Sequence, residues 1–406
     1  MRMPGTGMMR IDGRRVEAYP SLLALYVFIH IAFSMVLLAP AAFRLAPWVE
    51  AITSRAAYVS LFAIIVSGLF LKAEPLFYRT LGVFVFFPAW SVCFWILNAI
   101  GGGAEVPLTF IPFLLFLWAR PIHENRKLLL RFAGAAIALS AIYSALQALA
   151  YPGFFDMYKL PVLPLAFSQS EISGVWLGRA SGFYFEPLGA AATFALAALG
   201  FKAIADAERD RLSYIFFLFA LGGLLLSKSY GAILIFILFY SVLFRRLHWL
   251  AYCAAVAALV IFASADVSIN IEDKFRELGD KIDSMAKALD YLAQNPLVVF
   301  LGQSVYLPSG ESMTTESTFL ELIFSFGVLF PVVLTISVLY VVYMNEVAVT
   351  RRVHLPGYRR RAAQALNVAL LYPVAVMFTQ NAAWIPPVVM LFVLFATYAH
   401  FLAAEE

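Results

Sequence analysis

Residues 266–327 read DVSINIEDKFRELGDKIDSMAKALDYLAQNPLVVFLGQSVYLPSGESMTTESTFLELIFSFG. Most of this stretch, residues 266–317, is the only long polar interval of the sequence. From Ile271 to Leu292, apolar residues recur at alternating steps of four and three, which predicts a helix with one apolar stripe and one charged face. The stripe consists of Ile271, Phe275, Leu278, Ile282, Met285, Leu289 and Leu292. Pro and Gly between Pro296 and Gly310 predict an open connection rather than a continued helix. Glu316 then stands just ahead of an apolar run that begins near Thr318, so a carboxylate is expected at the mouth of the next helix.

The chain outside this interval is strongly apolar. Hydrophobic residues make up 63% of the sequence and charged residues 13%, and the mean hydropathy is +0.84, whereas soluble proteins carry about 25% charged residues. The sequence therefore predicts an all-α polytopic membrane protein. A helix needs roughly 20 apolar residues to cross about 30 Å of hydrocarbon. About twelve apolar runs approach that length, at residues 21–43, 56–71, 80–100, 106–119, 128–151, 187–201, 212–227, 230–244, 249–265, 318–343, 362–379 and 385–403.

Basic residues in short connections indicate the orientation, because Lys and Arg are retained on the cytoplasmic side of a membrane. With the N-terminus inside, most of the 29 basic residues fall in alternate connections on that side. Both termini are then expected in the cytoplasm and the polar interval outside. The chain divides into nine helices in 1–265 with an outer segment at 152–186, an outer loop and candidate lid at 266–317, and three helices in 318–406.

Several classes of site are not expected. Cys93 and Cys253 fall in different apolar runs, which predicts neither a disulfide framework nor a metal site, and no cofactor is expected. The formal net charge is +4. No basic tract is interleaved with aromatic residues, so nucleic acid is not an expected partner.

The outer segment at 152–186 leads into the sequence RASGFYFEP, Arg179 to Pro187. Pro187 fits the first turn of a helix, where the missing N–H costs nothing, so Arg179 is expected in the loop just before a helix start. A cation beside a helix N-terminus is a favourable seat for a phosphate. Tyr184, with Trp176, is expected at the level of the lipid headgroups.

The connection between the seventh and eighth apolar runs is only Ser227 to Gly231 and contains Lys228. A charge at the centre of a bilayer costs about 2.5–3.5 kcal/mol. Lys228 is therefore expected to reach the interface, to pair with an anion, or to line a wet cavity.

Four motifs, all expected on the outer side, together resemble the bacterial O-antigen polymerase and O-antigen ligase superfamily. They are RASGFYFEP (179–187), SKSYGA (227–232), AKALDYLAQNPLVVFLG (286–302) and TFLELIFSFG (318–327). The resemblance implies a glycosyltransferase that joins sugars carried on a polyprenyl diphosphate at the periplasmic face of the bacterial inner membrane. The Phe185-Glu186-Pro187 sequence is similar to polysaccharide polymerases. An O-antigen or exopolysaccharide polymerase is therefore expected, with an O-antigen ligase that transfers glycan to the lipid A core as the alternative.

The sequence departs from the superfamily pattern at three places. Glu316 and Ser317 stand where ligases usually have a His-Asn pair. Lys228 and Lys281 stand where an arginine is common in the superfamily. The first departure favours the polymerase over the ligase.

The implied reaction is a displacement at an anomeric carbon, independent of metal, in which an acceptor hydroxyl attacks and the lipid diphosphate leaves. Negative charge that develops on the diphosphate must be stabilised, and the hydroxyl must lose its proton. Arg179 and then Arg276 are expected to bind the diphosphate, because the arginine fork binds phosphate oxygens bidentately. Lys228 and Lys281 are expected to assist as point charges.

Two carboxylates are candidates for the general base. Glu316 is preferred and Glu186 is the second choice. A glutamate has an ordinary pKa of about 4.3, so the site must raise it or hold the group in an ideal position. Two other interpretations stay open: Glu186 as a helix cap and Glu316 as a solvated charge at a helix start.

The implied partners are a polyprenyl-diphosphate-linked oligosaccharide donor, a glycan acceptor and membrane lipids, with a chain-length regulator as a further candidate. A secondary transporter or a lipid-linked oligosaccharide flippase is the alternative from another class, since twelve spans are common there. Transporters place ionisable residues at the middle of the membrane. Here polarity is concentrated in the outer loop, which favours chemistry at the outer face.

Overall fold

The computed structural model describes residues 20–21, 23–32, 80–100, 108–149, 180, 182, 184, 187–244, 271–302, 317–352, 356–378 and 384–404. Within these ranges all regular secondary structure is helical. The α-helices are α1 (Leu23–Ala32), α2 (Phe86–Ile100), α3 (Ala119–Glu124), α4 (Arg126–Leu149), α5 (Pro187–Glu208), α6 (Arg211–Leu226), α7 (Tyr230–Phe244), α8 (Ile271–Gln294), α9 (Pro296–Leu301), α10 (Thr318–Phe326), α11 (Leu329–Arg351), α12 (Gly357–Ala369), α13 (Tyr372–Met377) and α14 (Pro386–Ala404). Two 3-10 helices, Gly82–Val85 and Leu108–Trp118, precede α2 and α3.

The apolar helices agree with an all-α membrane protein. By length and composition, α4, α5, α11 and α14 are each able to cross a membrane. The helices α1, α6 and α7 and the segment Gly82–Cys93 are apolar but shorter. Two of the twelve apolar runs, 56–71 and 249–265, and much of the run at 21–43 lie outside the described residues. The count of twelve spans therefore stays a prediction.

Helices α5 and α14 form the centre of the bundle. In each of these helices, 89% of the most apolar 18-residue stretch is buried inside the protein, compared with 33% of the corresponding stretch in α11. Helix α5 packs against α6, α7, α12 and α14. Its sequence, PLGAAATFALAALGFKAIADAE, is rich in alanine, and small side chains allow helix backbones to approach closely.

The contact between α5 and α6 depends on a glycine. A Cβ at Gly223 of α6 would lie 2.6 Å from Cζ of Phe194, and Phe194 of α5 is fully buried. At the adjacent Gly222, no atom lies within 4 Å of the place that a Cβ would occupy. The two neighbouring glycines therefore differ only in whether another helix lies against them.

Gly223→Ala is expected to destabilise the protein by about 1–3 kcal/mol, because a methyl group forced into a filled core displaces a buried ring. The measurement is thermal or denaturant unfolding in detergent. Gly222→Ala is the matched control and is expected to cause no loss, since alanine favours a helix over glycine. Equal stability of the two variants would contradict the close contact between α5 and α6.

The bundle has two chemically distinct ends. We call the end that contains Ala180, the Ser227–Ser229 connection and Ser317 the motif end. Helix α5 runs away from it to Glu208, and α6 returns to it. At the opposite end, Glu208 lies 3.7 Å from Arg126 and accepts a 2.8 Å hydrogen bond from the Tyr398 hydroxyl.

Helix α11 also ends on the Glu208 side of the bundle. Its Asn345 contacts Asn367 of α12 and His400 of α14, each at 3.2 Å. We call this side the basic end, because its helix ends and the connection between α5 and α6 carry Arg126, Lys127, Arg131, Arg209, Arg351 and Arg359. The grouping agrees with the alternation of basic connections in the sequence. Which end faces the cytoplasm stays a prediction.

Two of the apolar runs are interrupted in the structure. The run at 318–343 divides into α10 and α11 at Gly327, which has a φ of +78°. The run at 362–379 divides into α12 and α13 at Leu370 and Leu371, just before Pro373. Proline lacks the N–H that would continue α12, so each break coincides with a residue that disfavours helix.

The polar interval is confirmed in its main helix and corrected in two details. Helix α8 spans Ile271–Gln294, close to the predicted Ile271 to Leu292. The expectation of an open connection from Pro296 is wrong for its first part, because α9 begins there with proline in its first turn. In the predicted apolar stripe, Ile282 and Leu289 are 59% and 53% exposed, whereas Ala288 is buried beside Leu292. The buried face of α8 is therefore rotated from the predicted stripe.

Candidate functional site

The RASGFYFEP segment is attached to the SKSYGA connection by a backbone hydrogen bond. The N–H of Ala180 donates to the carbonyl of Leu226 at 3.1 Å, and Ala180 is 2% exposed. Leu226 is the last residue of α6, and the final carbonyls of a helix have no intrahelical partner. The bond satisfies one of these carbonyls and joins two motifs that are more than forty residues apart in the sequence.

Gly182 attaches the same segment to α4. Its φ of +57° lies in the left-handed region, which glycine adopts without the steric penalty of a side chain. A Cβ there would lie 2.5 Å from Oγ of Ser140 and 2.9 Å from Oγ of Ser144. Both serines are fully buried on α4. Conformation and space therefore both require glycine at this position.

Tyr184 attaches the segment to α5. Its side chain is fully buried, and its ring packs edge-on against Phe194 with 5.4 Å between ring centroids. The Tyr184 side chain therefore faces the helix bundle, and its level relative to the lipid headgroups stays a prediction. Residues 180, 182 and 184 contact three different helices, α6, α4 and α5, so these three residues are attached at the motif end.

Lys228 occupies a tight turn between α6 and α7. Its φ of +48° is in the left-handed region, where a residue with a side chain costs roughly 1–2 kcal/mol. Ser227 stabilises the turn: its hydroxyl donates to the Leu224 carbonyl at 2.6 Å, and its oxygen lies 3.4 Å from the Ser229 nitrogen. Lys228 itself is half-buried. The short connection predicted from the sequence is confirmed, and its lysine stands in a strained conformation.

Helix α13 connects the first turn of α7, just after the Lys228 turn, to the residue that follows Glu316. The Tyr372 hydroxyl at its start donates to the Ala232 carbonyl at 3.3 Å. At its end, the Met377 carbonyl accepts a 3.0 Å hydrogen bond from the hydroxyl of Ser317. Ser317 is 2% exposed and precedes α10. The start of α10 is thus held at the motif end.

The polar interval docks on α10. Ala288 and Leu292 of α8 and Val298 of α9 form a buried cluster with side chains of α10; the α10 members are Leu320, Ile323 and Phe324. The backbone of α9 also contacts the end of α10, where the Val328 N–H donates to the Val299 carbonyl at 2.6 Å. Helices α8, α9 and α10 therefore form one packed unit beside the motif end.

The described residues include few of the predicted site residues with their side chains. Arg179, Glu186 and Glu316 lie outside the described residues. Arg276 and Lys281 are on α8, but for these two residues the structure describes the backbone and not the side chain. Lys228 is described fully. Among the described residues, no group of three or more His, Cys, Asp or Glu side chains comes together.

Sequence reasoning missed the residues that hold the motifs in place. Ser140 and Ser144 were hidden in an apolar run, although their spacing of four places them on one face of α4. Ser317 and Tyr372 act through hydrogen bonds to backbone carbonyls far away in the sequence. No local pattern identifies such bonds.

Comparison with known proteins adds no assignment. No protein-family model matches this chain, and no curated protein matches it significantly. Functional inference therefore depends on the motifs and on the geometry of the motif end.

Proposed function

We propose that this protein is a membrane glycosyltransferase that polymerises oligosaccharide units carried on a polyprenyl diphosphate. The observation that carries the proposal is the hydrogen bond between Ala180 and Leu226. Arg179 is covalently adjacent to Ala180, and Lys228 is two residues beyond Leu226. The bond therefore supports a site in which two of the four predicted phosphate-binding cations, Arg179 and Lys228, act on one leaving group.

The reaction forms a bond between the acceptor oxygen and the anomeric carbon, and breaks the bond between that carbon and the diphosphate oxygen. The electron pair leaves with the polyprenyl diphosphate, whose charge Arg179 and Lys228 stabilise. The acceptor hydroxyl gives its proton to a carboxylate, for which Glu316 is the first candidate. The bond between Ser317 and Met377 supports this choice, since it anchors the residue next to Glu316 at the motif end.

The strain at Lys228 is a second reason to assign it a role. A glycine would adopt a φ of +48° without strain, yet the sequence has a lysine there. Non-glycine residues in the left-handed region are concentrated at functional sites, where their side chains are needed. An exposed lysine that serves only as an interfacial anchor has no requirement for this conformation.

Lys228→Gly is expected to slow glycan elongation by about 10- to 100-fold, less than the loss of a full transition-state donor. Stability is expected to be unchanged or to rise by up to about 1 kcal/mol, because glycine relieves the backbone strain. The measurements are elongation rate and thermal unfolding of the same preparation. A variant that elongates at the wild-type rate would remove Lys228 from the site.

The deciding experiment gives the purified protein a polyprenyl-diphosphate-linked oligosaccharide, with and without a chelator, and follows products by gel. A ladder of longer lipid-linked glycans, formed equally well with chelator, is the expected result. Transfer that appears only after a lipid A core acceptor is added would identify a ligase instead. A well-folded preparation that is inactive with both acceptors would contradict glycosyl transfer and favour a transporter or flippase.

A further inference from the structure

A polar cavity of about 550 Å³ lies at the basic end, away from the motif end. Five helices enclose it: α4, α5, α6, α12 and α14. Among the residues that the structure describes, five cationic side chains line it: Arg126, Lys127, Arg131, Arg209 and Arg359. The carboxylates in this described lining are those of Glu208 and Asp210. The lining therefore has an excess of positive charge.

Both carboxylates already have partners within the protein. Glu208 accepts a hydrogen bond from Tyr398 and lies close to Arg126. Asp210 caps α6, where it accepts from the N–H groups of Leu212 and Ser213 and from the Ser213 hydroxyl. Burial opposes ionisation, but these hydrogen bonds and nearby Arg131 hold the pKa of Asp210 below its ordinary value. Asp210 is thus a charged helix cap with its oxygens occupied, and the remaining cations favour an anionic ligand.

Arg209 joins the cavity to the connection between α5 and α6. Its φ is +56°, at the position just after α5 where glycine is the usual residue. Its guanidinium lies over the Tyr358 ring of α12, 5.4 Å from the centroid. A second cavity of about 1140 Å³ shares Arg209 and Tyr358 and is lined by both cations and acids: Lys202, Arg360 and Arg361 with Asp206 and Glu346. Lys202 pairs with Asp206 there. Arg209 therefore stands in a strained conformation where the two cavities meet.

The surface beside the cavity is apolar. Helix α6 lines the cavity with Ser213 and Phe216. The same helix exposes Tyr214, Ile215 and Leu218 by 45–49%, in a segment whose composition suits the hydrocarbon core. A lipid whose acyl chains lie on this face of α6 would bring its headgroup to the cavity. A basic pocket between membrane helices is a recognised kind of site for anionic headgroups.

We propose that this cavity binds the phosphate of an anionic membrane lipid, and that Arg209 is the central contact. The binding is independent of the glycosyl transfer proposed above, because it occupies the opposite end of the bundle. Its role is to select the lipid that surrounds the helices at the basic end.

The test is titration of phosphatidylglycerol into the delipidated, detergent-solubilised full chain, followed by native mass spectrometry, with phosphatidylcholine as the baseline. Wild type is expected to prefer phosphatidylglycerol. Arg209→Gly is expected to weaken that binding about fivefold, the effect of removing one cation near a membrane surface. Thermal unfolding in detergent is expected to be unchanged or shifted upward, because glycine relieves the left-handed strain. Loss of binding is then separated from loss of fold.

Two control variants and one further test variant accompany this measurement. Arg209→Lys keeps the charge and is expected to retain most of the binding. Arg351→Ala removes an exposed cation at the same end that lines neither cavity, and is expected to bind as wild type does. Arg131→Gln removes a second cavity cation without altering the connection between α5 and α6.

Any one of three outcomes would overturn the proposal. In the first, Arg209→Gly and Arg131→Gln bind phosphatidylglycerol as tightly as wild type. In the second, Arg351→Ala weakens the binding as much as those two variants do, and in the third, inorganic phosphate displaces the lipid fully, which would assign the cavity to a soluble anion. None of these outcomes depends on glycan transfer, so this test fails or succeeds separately from the proposed function.

Discussion

Arg179→Ala is expected to slow glycan elongation by about 10²–10³-fold, the effect of removing one preorganised donor to a developing anion. The lost guanidinium would otherwise bind two oxygens of the leaving diphosphate. The measurement is the initial rate of ladder formation by purified protein with a polyprenyl-diphosphate-linked oligosaccharide. The fold is expected to survive, because Ala180 is held to Leu226 through its backbone and not through a side chain.

Arg179→Lys is the matched control for charge. Lysine retains the positive charge but not the bidentate fork, so its elongation rate is expected between those of wild type and Arg179→Ala. The same assay tests the base, and Glu316→Gln is expected to lower the rate by about 10²–10⁴-fold while keeping the side-chain shape. Wild-type rates in Arg179→Ala and Glu316→Gln, with normal thermal unfolding, would refute both assignments.

Gly327→Ala is expected to destabilise the protein by about 2–5 kcal/mol, the combined effect of backbone strain and overpacking. Gly327 has a φ of +78°, and a Cβ there would overlap the carbonyl oxygen of Phe300. At the end of α9, Gly302 lies equally close to α10: a Cβ at Gly302 would be 2.9 Å from backbone atoms of Ser325 and Phe326. Because both partners are backbone, no side-chain rotation relieves the overlap. The measurement is thermal or denaturant unfolding in detergent.

Gly279→Ala is the matched control within the same polar interval. Gly279 lies inside α8, and nothing comes within 4 Å of its Cβ position. Alanine is expected to stabilise the protein by up to about 1 kcal/mol through helix propensity. If Gly327→Ala were as stable as Gly279→Ala, the docking of α9 against the end of α10 would be wrong.

Local signals predicted the helix boundaries at the motif end well. The spacing of apolar residues predicted α8, Pro187 predicted the start of α5, and the five residues Ser227 to Gly231 predicted the tight connection that contains Lys228. Each signal depends on a few neighbouring residues. A helix period, a proline at a helix start and a short polar interruption act through local backbone geometry, so they are visible in the sequence alone.

The errors arose where distant contacts decide the outcome. Helix α8 turns Ala288 inward and leaves Ile282 and Leu289 exposed, because the surface of α10 determines which face of α8 is covered. The run at 318–343 breaks at Gly327 because the backbone of α9 passes directly against it. None of these partners is a sequence neighbour.

A helical, apolar chain with alternating basic connections and one polar interval is predictable from the amino-acid sequence. These properties follow from composition and from spacing along a single helix. The packing of the helices was needed to show that the RASGFYFEP motif is bonded, through Ala180, to Leu226 just before the SKSYGA motif, and that Lys228 and Arg209 stand in left-handed conformations. The physical reason is that both depend on how separate helices pack: a backbone hydrogen bond between distant segments, and a turn whose dihedral angles are imposed by the two helices that it joins.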